Sequence, residues 1–313
     1  MLIAGPNLTV DRTSTLPELR PGEVLRLADV IVTPGGKGLN VARAAHALGV
    51  PAALVAFLPG HMGRAAAALI AEDGVTLQGV PTSGELRSTS VILEPSGRAT
   101  VLNEPGPPVS EERWVALEGV VDDALVDHGV LVCSGSLPPG APADGYARLT
   151  ARARDAGALA VVDAGGPVLA AALAAHPDVV APNLAEAEGV LFGRADEAVE
   201  ASSDARDRAL AAAHELVHRG ARAAVVTAAA AGAAVAWGVE PEWLDAPRVT
   251  VRNPIGAGDV LTSGLAAALE RGASVAEAAR EGVAAAAASV EAPKAGDLDR
   301  ARMRELLERM VAP

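Results

Sequence analysis

The sequence has one cysteine, one tyrosine, two phenylalanines and three tryptophans among 313 residues. Cys133 alone permits no internal disulfide, which excludes a disulfide-stapled scaffold and fits a reducing cytosol. With aromatics at 2% while half the chain is apolar, Ala, Val and Leu must form the core, which calls for closely spaced helices and sheet. Basic residues are scarce, 26 Lys and Arg against 39 Asp and Glu, and the net charge of −13 argues against nucleic acid or an anionic membrane as partner. The alanine runs are broken by charge or glycine before membrane-spanning length. Met1-Leu2-Ile3 opens on an apolar strand without a basic start, so no signal peptide is read and a cytoplasmic protein is expected. The length exceeds one average domain and suits a large α/β unit, or such a core with an elaboration.

What the sequence does have is concentrated in Asn253-Pro254-Ile255-Gly256-Ala257-Gly258-Asp259. Val260 to Leu269 is free of Pro and carries apolar residues at helical spacing, and Gly272 suits a left-handed stop. A loop with two glycines entering a helix leaves free N–H groups and a positive dipole end, which together make an anion site. Small residues at 256–258 would let a phosphate reach the backbone. Asp259 cannot attract phosphate there. It suits instead a base that takes a proton from an attacking hydroxyl, and it reads equally as a plain helix cap.

In chain order, Met1 to Ala4 is a short strand and Val24 to Val32 reads as one or two strands. Thr33-Pro34-Gly35-Gly36-Lys37-Gly38 then leads into a helix from about Leu39 to Leu48, closed by Gly49. No Ser or Thr follows Lys37, so this is not a Walker loop. The glycines read either as a close backbone approach to a ligand or as a tight turn. Strand–helix alternation follows, broken at Ser88 to Leu93 and Ala99 to Leu102, which flank the hairpin turn Pro95-Ser96-Gly97. Alternation resumes through strands at 129–133, 159–162, 179–180 and 223–227, with a long helix from about Asp204 to Arg219. The pattern predicts a largely parallel sheet flanked by helices on both faces, with a small separate sheet inserted at two points.

Three further stretches fall past strand ends, where open α/β sheets bind ligands. Ser134-Gly135-Ser136-Leu137-Pro138-Pro139-Gly140 offers hydroxyls and glycines to a polar ligand, or is ordinary loop punctuation. Asn183 with Glu186 one turn on can hold a hydrated Mg²⁺, or form a capping box. Thr227 presents a hydroxyl suited to a phosphate. The six histidines show no metal-ligand spacing.

The runs Gly35-Gly36-Lys37-Gly38-Leu39-Asn40-Val41-Ala42-Arg43 and Gly256-Ala257-Gly258-Asp259 resemble the two signatures of ribokinase-like sugar kinases of the phosphofructokinase B type. Asn103-Glu104-Pro105-Gly106-Pro107, the 134–140 loop and Pro182-Asn183-Leu184-Ala185-Glu186 look like the 1-phosphofructokinase and tagatose-6-phosphate kinase branch. The resemblance implies a ribokinase-like α/β fold with a nucleotide- and substrate-binding core (1–10, 34–83 and 105–313) and a β-sheet lid (11–33 and 84–104). It also implies an ATP-dependent transfer of the γ-phosphoryl group to a hydroxyl of a small sugar or sugar phosphate, with Mg²⁺, and a homodimer formed through the lid. Kinases of unphosphorylated sugars or nucleosides, and a ligand-binding homologue without turnover, are the alternatives.

Carried over by resemblance, Asp259 is the base, with Gly256, Ala257 and Gly258 as an anion hole. Asp11, Gly35, Gly36 and Asn40 hold the sugar hydroxyls, while Arg26, Lys37, Arg87 and Ser136 recognise its phosphate. Asn183, Thr227 and Gly232 serve the nucleotide, and Glu186 the metal. Two departures stand out. Ala229 occupies a position where relatives carry glycine, so a positive φ or a crowded nucleotide would weaken ATP binding. Pro254 stiffens the loop before the anion hole.

Overall fold

The computed structural model describes residues 1–311 except 97, 194, 195, 197, 198 and 201, so the turn residue Gly97 lies outside the described residues. The chain folds into two sheets. The larger has nine strands: β1 (Leu2–Ala4), β4 (Ala53–Pro59), β5 (Thr76–Thr82), β8 (Val130–Ser134), β9 (Leu159–Asp163), β10 (Val179–Val180), β11 (Ala224–Ala228), β12 (Gly232–Ala236) and β13 (Glu242–Asp245). Their order is β13-β12-β11-β10-β9-β8-β1-β4-β5. The pairings from β5 to β11 are parallel, and β12 and β13 add on antiparallel. From β1 the chain moves outward to β4 and β5, then returns to β8 on β1's other side. The order therefore reverses at β1, and that is where such sheets open a ligand crevice beyond their strand ends.

Alternation along the buried strands sends side chains to two cores. Leu131 and Cys133 of β8 face one, with Trp114, Tyr146, Leu184 and Leu216. Val130 and Val132 face the other, with Leu39, Ile70, Leu261 and Val283. The first face is covered by α3 (Glu111–Leu125), α4 (Gly145–Asp155), α5 (Gly166–Leu173), α6 (Leu184–Phe192) and α7 (Ala205–His218). The second is covered by α1 (Lys37–Ala47), α2 (Gly60–Glu72), α8 (Ala257–Glu270) and α9 (Val275–Ser289), with α10 (Arg300–Val311) packed outside α9. Burial of strand residues on both faces explains why they read as unbroken apolar runs. Among the described residues no helix is long and apolar enough to cross a membrane.

The smaller sheet has the order β3-β2-β6-β7, formed by β2 (Thr9–Thr15), β3 (Val30–Gly35), β6 (Ser88–Leu93) and β7 (Ala99–Asn103). Two expectations need correction. Only Val30 to Val32 of the Val24 to Val32 run is strand, because Asp29 and Arg26 interrupt the alternation on which that reading rested. The helix expected from Leu39 begins earlier, at Lys37, with Gly36 as its cap at φ 117.

Candidate active site

The cleft opens where the larger sheet's strand ends meet the smaller sheet. Two adjoining cavities, ≈ 330 and ≈ 380 Å³, share Gly36, Lys37, Arg87 and Glu186 as walls. Both fall in the size range of small-molecule sites.

At the base of the cleft is α8. Gly256 caps it in the left-handed region at φ 83 and donates no side chain, so Asp259 is the third helical residue, and not the cap. Its carboxylate turns to Asn40 on α1, whose Nδ2 donates to Asp259 Oδ2 across 2.8 Å. The first-turn N–H groups of α8 have no intrahelical acceptor. That of Ala257 reaches back to the Pro254 carbonyl at 3.4 Å, and Gly256, Ala257 and Gly258 all line the cavity. Asp259 is 5% exposed. Burial pushes its carboxyl up to about 7, with the charges of Asp163 and Glu186 adding and Lys37 and the Asn40 hydrogen bond opposing. A carboxyl near neutrality is poised to exchange a proton at working pH.

Lys37, at the start of α1, reaches across the cleft. Its Nζ lies 2.8 Å from Glu186 Oε1 and 3.4 Å from Asp163 Oδ1. Burial works against its charge, yet Asp163 and Glu186 hold the ammonium far above its ordinary value. Asp163 itself is buried at the end of β9, where burial raises its carboxyl and Lys37 opposes the rise. Ser134 Oγ donates to Asp163 Oδ2 at 3.3 Å, and the Gly135 N–H to the Asp163 carbonyl at 3.0 Å. The structure thus pairs Lys37 with carboxylates, and brings in Asp163, which the sequence reading did not single out. Its only sequence signal is an acid ending a buried strand just before Ala164-Gly165-Gly166.

Asn183 and Glu186 form a full capping box on α6, with Asn183 Oδ1 accepting from the Glu186 N–H at 2.7 Å and Glu186 Oε2 from the Asn183 N–H at 3.1 Å. Both also face the cleft, so the structural and chemical readings of this pair coexist. Thr227 joins them through an isolated bridge to Asn183 and lines the same cavity.

The smaller sheet supplies the opposite wall through Thr9, Asp11, Thr89 and Asn103. Asp11 packs on Gly35 so closely that a Cβ there would sit 2.1 Å from Asp11 Oδ2. Only glycine allows that approach. Burial raises the Asp11 carboxyl, against hydrogen bonds from Thr89 and Thr9 and the Arg87 charge. The Arg87 guanidinium donates to the carbonyls of Leu8, Glu104 and Asn7, each at 3.2 Å. Three of its five N–H donors are engaged in these bonds, and the side chain lines both cavities. Ser136 accepts from Asn7 Nδ2 at 3.0 Å beside Arg87.

Two residues named from sequence stand apart. Arg26 is exposed on the loop before β3 and does not line either cavity. Gly232 is buried at the start of β12, where an added Cβ would meet the Leu244 carbonyl oxygen at 2.1 Å, so its smallness serves the antiparallel pairing with β13. Ala229 is exposed and holds a positive φ of 44 in the turn between β11 and β12.

Residues 7–301 match the family described as pfkB family carbohydrate kinase. A 1-phosphofructokinase of Rhodobacter capsulatus is 33% identical over 277 residues, which is 88% of this chain and 85% of that protein. A 1-phosphofructokinase of Haloferax volcanii is 35% identical over 287 residues, or 90% and 88%. The structure of phosphofructokinase-2 from Escherichia coli in complex with substrates and products is similar with a TM-score of 0.86 at 27% identity, covering 100% of this chain and 99% of that one. An Arabidopsis thaliana ribokinase complexed with ribose and ATP, 23% identical with a TM-score of 0.77 over 98% of each chain, shares the fold. With the signature residues gathered around one buried carboxylate, this chain belongs to the pfkB family of carbohydrate kinases, phosphotransferases that act on a sugar hydroxyl.

Proposed function

We propose that the chain transfers the γ-phosphoryl group of ATP to a hydroxyl of a sugar phosphate, as a 1-phosphofructokinase does. The observation that carries this reading is the buried Asp259 carboxylate, raised to about 7, beside the open first turn of α8. Asp259 takes the proton of the attacking hydroxyl, and the first-turn N–H groups at 256–258 stabilise the charge of the phosphoryl group in flight. Asp11, Gly35, Gly36 and Asn40 orient the sugar. Arg87, with Lys37 and Ser136 nearby, receives its phosphate, since a guanidinium suits that group. Asn183 and Thr227 serve the nucleotide.

The residues present suit Mg²⁺. Glu186 and Asp163 offer hard oxygen donors to one cleft, and among the described residues no group of three such side chains could hold an ion alone. Mg²⁺ keeps several waters and shares phosphate oxygens, so one or two carboxylates suffice. When bound it would neutralise charge on the nucleotide phosphates.

The smaller sheet serves as a lid, spanning about 11–33 and 84–104. On its cleft-side face, beyond the row of Asp11 and Thr89, sit Ile31 and Val101, 65% and 50% exposed, with Val91 between them. That apolar surface supports a homodimer through the lid. The lone Cys133, buried and unbridged, accords with a cytoplasmic enzyme.

A coupled ADP-release assay over fructose 1-phosphate, tagatose 6-phosphate, fructose 6-phosphate, ribose and adenosine tests the substrate. Turnover of fructose 1-phosphate well above the others is expected. Preference for ribose or adenosine overturns the phosphosugar reading, and ligand binding without ADP release overturns the kinase reading.

A further inference from the structure

Beneath the base, a buried cation ties three parts of the molecule together. Arg43, on α1 one turn after Asn40, is 8% exposed. Its Nη2 donates to the Pro34 carbonyl at 2.7 Å, on β3 of the smaller sheet. Its Nη1 reaches Asn40 Oδ1 at 3.4 Å, and Asn40 in turn donates to Asp259. Nε donates to Asp73 Oδ2 at 2.8 Å, just past the end of α2, while Lys294 Nζ holds Asp73 Oδ1 at 2.5 Å.

Asn40 is constrained from behind as well. The Gly296 backbone presses on it, since an added Cβ there would meet Asn40 Cα and O at 3.0 Å and Arg43 Cβ at 3.2 Å. Among the described residues the group that donates to the Asn40 oxygen is the Arg43 guanidinium, which turns the Nδ2 end toward Asp259. If the amide were reversed, its NH₂ would face a guanidinium and its oxygen would face a carboxylate, and both contacts would be repulsive.

We propose that Arg43 is a positioning residue for the phosphoryl transfer, fixing the Asn40 amide so that it holds Asp259 while anchoring that arrangement to the smaller sheet through Pro34. The sugar-binding Gly35-Gly36 turn begins at the same carbonyl, so one guanidinium sets the register between the substrate's wall and the base. Displacement of a reacting group by about 1 Å can cost roughly 10²-fold in rate. A guanidinium contacting Asn40 can therefore matter to turnover without touching substrate.

The proposal rests on the kinase reading of Asp259, and the experiment keeps the two separable. Arg43→Met, Asn40→Ala, the double variant and Asp259→Asn are compared by kcat per active site, counted by ATP-binding stoichiometry, and by KM for ATP. Arg43→Met is expected to lower kcat by about 10²-fold with KM for ATP little changed. The double variant should be no slower than the slower single one, because Arg43 acts through Asn40. Losses that multiply overturn the proposal, as does an unchanged kcat per active site with only less folded protein. Should Arg43→Met fail to fold, Arg43→Lys keeps a charge beside Asp73 but lacks the fork that reaches both Pro34 and Asn40. It should show the same kcat loss and the same coupling, and wild-type kcat there overturns the proposal. Full activity of Asp259→Asn overturns the base reading itself, and the Arg43 proposal with it.

Discussion

Asn40 and Asp259 lie 219 positions apart in the chain and share a 2.8 Å hydrogen bond that joins the first turn of α1 to the first turn of α8. That bond holds one oxygen of a carboxylate that lines the cleft. Asp259→Asn keeps the shape and removes the proton acceptor. Turnover should fall roughly 10²–10⁴-fold, the usual worth of general base catalysis, with ATP binding retained. Steady-state kinetics with ATP titration check this, and a variant with wild-type kcat would assign the proton to another group.

The same substitution should stabilise the protein above neutrality. Asp259 is raised from 3.8 to about 7 in the fold. A carboxyl whose folded pKa exceeds its unfolded one binds its proton more tightly when folded. Its contribution is therefore intact below pH about 4 and is lost as pH rises to about 7, beyond which the penalty is constant. About three pKa units correspond to a cost of the order of 4 kcal/mol above pH 7. Asp259→Asn should accordingly raise Tm at pH 8 and raise it much less at pH 4.5. An equal shift at both pH values would mean the buried charge is not the cause.

Activity should carry the same signature. The acid limb of kcat/KM is expected near pH 7, since a base at Asp259, as proposed, must be deprotonated to act. Lys37 lowers the Asp259 pKa by its charge. Lys37→Met should therefore move the limb to higher pH, by about a unit or more, whatever it does to the maximal rate. A limb that stays in place would show that Lys37 does not sense the base.

How far the sequence could be read depended on how local each signal was. The 256–259 loop, the 35–40 loop and the strand–helix alternation are contiguous patterns, and the fold keeps them. Thr76–Thr82 shows no alternation because Gly79 and Pro81 interrupt it, and Gly232–Ala236 is camouflaged among alanines, so β5 and β12 went unread. Asp163 meets the cleft through Lys37 and Ser134, both distant in the chain, and no spacing rule encodes that. Asp259 read equally as cap or base. The fold separates the two by starting α8 two residues before it, a boundary that propensity alone does not fix.

The cleft-side face of the smaller sheet gives a test of assembly. Val101 and Ile31 are exposed on one face, in register through Thr13 and Val91. Val101→Arg places a charge at the edge-strand end of that patch and should convert the proposed lid dimer to a monomer on light-scattering chromatography, with Tm of the monomer little reduced. A dimer that survives the substitution would locate its interface elsewhere.

Ala229 is the last case, because its backbone already shows what its side chain resists. Its φ of 44 is a conformation that L side chains rarely adopt, and its methyl is exposed outside the cleft lining. What the structure shows at this position is backbone strain. A left-handed conformation costs alanine roughly 1–2 kcal/mol relative to glycine. The strain lies in the backbone of the turn itself, so its relief is expected to appear in stability. Glycine also loosens the unfolded chain, which takes back about 0.4–1 kcal/mol. Ala229→Gly should thus leave Tm unchanged or raise it by about 2–4 °C at most, with KM for ATP within about twofold of the parent. Ala229→Val, whose branched side chain fits positive φ worse still, should lower Tm. A several-fold fall in KM for ATP in the glycine variant would instead mean that the turn relaxes to another shape when empty and is strained only by the nucleotide. Melting curves and ATP titrations on these two variants distinguish the cases.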